Sequence, residues 1–192
     1  MPICYHQQNR FAPVSNQNPD SKMTALADEY RQQACDLLDQ SMIKLKNCLR
    51  QLNDEQLWWR PSENLNSIGN LVLHMCGNLR QWSVAGLTDA EDTRDREAEF
   101  STSGGMDAAA LLELAQSTVE HAQQVFRSAS DQQLVETLVI QGFTVTGLNA
   151  ILHTATHFVG HTHQIILLTR IQLADAYQFA WTPDQGRDQL PI

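Results

Sequence analysis

The segment ILHTATHFVGHTHQIILL (residues 151–168) constrains the fold most: it has helical character and is apolar on nearly all sides, yet it carries His153, His157, His161 and His163. A helix without a polar face is expected to be the most buried of its set, so other helices must surround it. Each imidazole inside such a surround needs partners for two ring nitrogens. His153, His157 and His161 are spaced i, i+4, i+8. Each step rotates about 40°, so the three form one row along the helix. Two neighbours in the row can share one tetrahedral ion with N–metal distances near ~2.1 Å. The pair is His153/His157 or His157/His161, and His157 is common to both. His163 points about 160° away from His161 and falls outside the row.

Three other stretches have the same periodicity. In residues 24–52, Leu26, Ala27, Tyr30, Ala34, Leu37, Leu38, Leu45, Cys48, Leu49 and Leu52 share one arc, as in an amphipathic helix. Pro61 and the Asn/Ser cluster of NDEQLWWRPSENLNS then break the pattern, after one short turn that Asn53 can cap. A second helix is expected from its N-cap Ser67 to about residue 87, burying Ile68, Leu71, Val72, Met75, Leu79 and Trp82. His74 lies on the flank of that face, beside Leu71 and Asn78. Residues 88–105 are charged and end in Gly104-Gly105, and read as a long solvated crossover. Asp107 can cap a third helix to about residue 128, with Leu111, Leu114, Thr118, Val125 and Phe126 inside and His121 at or near the surface. QLVETLVIQGFTVTG (133–147) reads as a short extended segment or irregular loop. The fourth helix runs from about Thr146 to Ala174 or Tyr177, and the aromatic tail YQFAWTP is expected to fold back over the body. The expected fold is all-α: a four-helix bundle with a long crossover between the second and third helices.

Composition narrows the partners. The formal net charge is −9, with 18% charged residues and no basic run, which argues against nucleic acid or an anionic membrane surface. No stretch reaches the ~18 apolar residues of a membrane span. Residues 1–22 are polar, with three prolines and no apolar signal-peptide core, and are expected to be a disordered leader. Met23 is a second candidate start. Residues 23–183 form the bundle domain and 184–192 a C-terminal tail. The four cysteines, at 4, 35, 48 and 76, form no CxxC pair, and a reduced, cytoplasmic protein is the simplest expectation. The chain has no Gly-rich phosphate loop and no GxSxG, so nucleotide-binding and serine-hydrolase readings fall away.

His74 and the histidine row must be explained together, and a metal satisfies one nitrogen of each ligand while a nearby oxygen takes the other. SIGNLVLHMCGNLRQW (67–82), followed by HTATHFVGHTHQI (153–165), resembles the DinB-like/YfiT-like superfamily of metal-dependent four-helix bundles. The similarity is strongest to a branch known as a domain of unknown function. It extends to LWWRP (57–61), RDREAEF (94–100) and FAWTP (179–183), over residues 24–183. The resemblance implies His74, His157 and His161 as ligands, with Gln164 at the matching glutamine. It also implies zinc or nickel as the ion and a homodimer. His163 departs from the pattern, where relatives commonly have glycine.

Three imidazoles leave a coordination position open, which is the mark of a catalytic rather than a structural site. An ion there could lower the pKa of water towards ~7 for hydrolysis, or hold a thiolate. The resemblance favours the second chemistry, because superfamily members include S-transferases and isomerases that use bacillithiol, mycothiol or glutathione. The expectation is a metal-dependent hydrolase or thiol transferase acting on a small-molecule substrate. No residue stands out as a general base. Arg80 and Asn78 are candidates for orienting an acidic substrate or thiol cofactor, although a surface or capping role is the plainer reading. The competing class is a non-enzymatic, metal-stabilised dimeric bundle with a closed site.

Overall fold

The computed structural model describes residues 19–180, and the expectations for 1–18 and 181–192 lie outside the described residues. The elements are α1 (Pro19–Leu49), α2 (Asp54–Trp58), α3 (Ile68–Leu79), a π-helical turn (Arg80–Ala85), α4 (Arg96–Ser101), α5 (Ala108–Ser128), α6 (Asp131–Val135), β1 (Thr137–Ile140), β2 (Phe143–Thr146) and α7 (Gly147–Leu173). The protein is mostly helical. Helix α1 packs on α7 and α5, and α3 packs on the same two, so the four long helices enclose a common core. Phe126, Phe158, Leu38, Leu45, Met75 and Ile151 are fully buried in it. Among the described residues no helix is long and apolar enough to cross a membrane.

The caps fall where the sequence puts them. Ser67 starts α3 with a capping box: its hydroxyl accepts from the Asn70 N–H at 3.1 Å, while Asn70 Oδ1 accepts from the Ser67 N–H at 3.2 Å. Asn53 caps α2 in the same way through Gln56, and Asp107 caps α5 through the Ala110 N–H. The residues that follow α7 fold back onto the body. The Gln178 carbonyl accepts from Asn47 Nδ2 at 2.9 Å and from Gln51 Nε2 at 3.0 Å, and Arg170 lies over the Phe179 ring.

Several expectations need correction. Helix α1 begins at Pro19, five residues upstream of the start expected at residue 24. The fold is not purely α: residues 137–146 form an antiparallel hairpin in register Thr137↔Thr146 to Ile140↔Phe143. Gln141 and Gly142 turn it with φ of 52° and 80°, the left-handed pair that a two-residue hairpin loop requires. The second helix is interrupted by the π-helical turn, and the charged segment 88–105 contains α4. The most buried helix is α3, not α7. Leu148, Leu152, Leu167 and Ile171 of α7 are all exposed, while ten residues of α3 are buried. The buried stripe of α7 runs through Ile151, Thr154, Ala155, Phe158, Thr162, Ile165 and Thr169. Thr162 and Thr169 satisfy their buried hydroxyls by donating to the carbonyls of Phe158 and Ile165, both at 2.8 Å.

Phe158 is fully buried beside the histidine row. Phe158→Ala should cost about 3–5 kcal/mol of stability. Urea unfolding of the metal-free protein measures this, and a loss below ~1 kcal/mol would contradict the placement of α7 in the core.

Candidate metal centre

The pairs Asn78/Thr154 and His74/His157 show that α3 and α7 run antiparallel. His153, His157 and His161 each immediately precede a residue of the buried stripe of α7. They therefore sit on its shoulder, half-buried, and His74 meets that shoulder from α3. The His74 ring centroid is 5.0 Å from that of His157 and 4.9 Å from that of His161. One ligand atom from each of His74, His157 and His161 lies within 4.8 Å of the others, a group able to hold a metal ion. Of the two pairs left open, His157/His161 lies within this group, with Nε2 atoms 3.1 Å apart. His153 stacks on Trp82 instead, at 4.1 Å between ring centroids, and is not part of the group. His163 is exposed, as its angle on the helix requires, and His121 is exposed on α5.

The donor chemistry suits a cation. His161 Nδ1 is 2.8 Å from Gln164 Oε1. An oxygen there assigns the proton to Nδ1 and leaves the Nε2 lone pair facing His157. A tetrahedral ion with bonds of ~2.1 Å places two ligand nitrogens about 3.4 Å apart, a few tenths beyond the distance found. Burial, reinforced by the neighbouring imidazoles and Arg94, lowers the His157 pKa to about 3. Burial also lowers the pKa of His74, with Glu99 opposing the shift, and that of His153. Neutral rings keep lone pairs available. His157 Nδ1 is buried without a hydrogen-bond partner among the described residues.

Two residues that sequence reasoning missed complete the surroundings. Glu99, on α4, is only 7% exposed and places Oε2 2.9 Å from His74 Nδ1. Arg94 grips that carboxylate with both arms of its guanidinium: Nε donates to Oε1 at 2.7 Å and Nη2 to Oε2 at 2.8 Å. The solvated reading of residues 88–105 therefore fails at these two positions. The available signal was the RDREAEF run, where Asp95 caps α4 and sends one of the following acids inward. Of the substrate-orienting candidates, Asn78 is buried and accepts from Thr154 Oγ1 at 3.3 Å, and Arg80 is exposed. The described cysteines, Cys35, Cys48 and Cys76, are free and buried, and burial raises the Cys76 thiol to about 12.

A cleft of about 440 Å³ reaches His74 and His157. Trp82, Phe143 and His153 give it an aromatic wall, and Asn149 and Arg96 add polar groups. The hairpin thus forms one side of the entrance.

A family model described as "Protein of unknown function (DUF1572)" matches residues 25–185. No curated protein matches the chain. A conserved protein from Enterococcus faecalis is similar in structure, with a TM-score of 0.59, 16% identity, and coverage of 73% of this chain and 95% of that one. A DinB-like protein, YjoA from Bacillus subtilis, is similar with a TM-score of 0.58 and 14% identity, covering 78% of this chain and 99% of that one.

The lowered His157 pKa has a consequence for stability. The unfolded chain takes up a proton near the ordinary value of 6.5 and the folded one only near 3. Between those values the unfolded state binds more protons, so stability rises with pH and the His157 contribution is complete above about 6.5. The urea midpoint of metal-free protein should fall from pH 7 to pH 5, and His157→Leu should flatten that fall. An equal fall in the variant would contradict the burial of a neutral imidazole.

Proposed function

The chain belongs to the DUF1572 family and has a DinB-like fold, and from that premise we propose that it is a divalent-metal-binding protein acting on a small molecule. The observation that carries this reading is the convergence of His74, His157 and His161 from two helices, with His74 and His157 lining an open cleft. The contacts of α1, α3, α5 and α7 support reading the body as a four-helix bundle, with residues 88–107 crossing between its second and third helices.

In this reading His74, His157 and His161 hold zinc or nickel. A bound ion would supply Lewis acidity, either to activate water for hydrolysis or to hold the sulfur of a low-molecular-weight thiol. The remaining work falls to the chain itself. Trp82 and His153 present a stacked wall along which a flat or apolar group lies. Asn149 and Arg96 are placed to bind polar or acidic groups of the substrate or thiol cofactor, and the hairpin residue Phe143 narrows the way for water. Burial favours the neutral form of His74 and His157. The net charge of −9 supports a small-molecule partner over nucleic acid or an anionic membrane.

The exposed row of Leu148, Leu152, Leu167 and Ile171 on α7 supports a homodimer. A metal-stabilised dimer without turnover is the competing reading. It needs a fourth protein ligand, whereas the candidate group among the described residues contains three.

Protein purified in chelator-treated buffer and reloaded should bind close to one zinc or nickel per chain by elemental analysis, and His157→Ala should lose it. Thiol-dependent conjugation of a model electrophile, assayed with bacillithiol, mycothiol and glutathione, then separates transferase from hydrolase. Wild-type protein that takes up no divalent metal would overturn the proposal.

A further inference from the structure

We infer that Glu99, held by Arg94, is the positioning residue for His74: its carboxylate fixes the imidazole with Nδ1 protonated and Nε2 turned to His157 and His161. This rests on reading the three histidines as a metal centre, and it assigns the affinity of that centre in part to the crossover.

Several observations converge. Both oxygens of Glu99 are occupied by the two-armed Arg94 contact, and Oε2 also lies 2.9 Å from His74 Nδ1. The side chains of Arg94 and Glu99 are only 4% and 8% exposed. Removing two charges from water is costly, and a hydrophobic pair of equal volume is often as stable or more so. The pair is therefore poorly explained by stability alone, whereas a fixed carboxylate is what orients a ligand imidazole.

Arg94 Nη2 is also 3.1 Å from His74 Nδ1, which would suit an unprotonated nitrogen. That alternative sets a lone pair against a carboxylate oxygen at 2.9 Å. With Nδ1 protonated, the imidazole instead makes a charge-assisted bond to Glu99 while Arg94 keeps both of its bonds to the carboxylate. The Glu99 contact decides the tautomer.

The surroundings hold the carboxylate in place. Asn70 Nδ2 donates to the carbonyls of Glu99 at 2.9 Å and Thr102 at 2.7 Å, and Arg60 Nη2 donates to that of Phe100 at 2.6 Å. Arg94 Nη1 donates to Gln81 Oε1 at 2.8 Å, from the π-helical turn. On α3, about one helical turn beyond His74, Gly77 leaves the space that Glu99 fills: a Cβ there would overlap Oε1.

The test uses the full chain, with 15N spectra of its histidine rings and with zinc as the probe. Metal-free wild type at neutral pH should show His74 with Nδ1 protonated, and the Arg94→Met/Glu99→Leu double variant should show mixed tautomers. The double variant avoids leaving Arg94 buried and unpaired. Its zinc affinity, measured by competition with a chromogenic chelator, should fall about 10- to 100-fold. Gly77→Ala, which displaces the carboxylate while both charges remain, should lower affinity in the same direction. A double variant that keeps the wild-type tautomer, or binds zinc within about twofold of wild type, overturns the inference. Wild type that binds no zinc overturns the metal reading instead, and the tautomer measurement still decides the positioning role.

Discussion

The antiparallel contact between α3 and α7 is the constraint on which the site depends. It brings His74 against the shoulder of α7 at the level of His157 and His161, and burial favours the neutral form of His74 and His157. A buried ring nitrogen that finds no donor, acceptor or cation is costly. Gln164 takes one nitrogen of His161 and Glu99 takes one of His74, which leaves one nitrogen of each of these rings for a centre shared with His157. Residues one position from the stripe of α7 can do this because they are half-buried: deep enough to lose water, yet open to the cleft beside them.

Much of this was legible in the sequence because helices declare themselves locally. Apolar spacing located the four long elements, Ser67 and Asp107 announced the caps of two of them, and Asn53 that of the short α2. The i, i+4 spacing gave the histidine row, and the resemblance selected His157 and His161 from it and joined them to His74. Periodicity could not say which faces are covered. Leu148, Leu152, Leu167 and Ile171 made α7 look uniformly buried, yet apolar side chains commonly remain at a surface. The hairpin was hidden because its turn is Gln141-Gly142 rather than the more usual Asn-Gly, so the flanking β-branched runs carried an ambiguous signal.

Glu99 and Arg94 were harder to find for a different reason. A run of mixed charge reads as solvated unless something outside the run pulls one residue inward. Here that influence comes from distant positions: Asn70 and Arg60 bind the α4 backbone, and Trp58 Nε1 donates to the Met106 carbonyl at 2.9 Å. Trp58 in turn lies so close to α3 that a Cβ at Gly69 would sit 2.7 Å from its ring. The LWWRP and RDREAEF segments therefore belong to one structure, a brace joining the start of α3 to the crossover. The charged segment thus places the Glu99 carboxylate beside His74.

The central claim is that three imidazoles from α3 and α7 share one ion. X-ray absorption at the zinc edge of zinc-loaded protein tests it most directly. The account predicts about three nitrogen scatterers of imidazole type at ~2.0–2.1 Å, with one further light atom and no sulfur. A sulfur shell near ~2.3 Å, or a first shell without imidazole scattering, would contradict it.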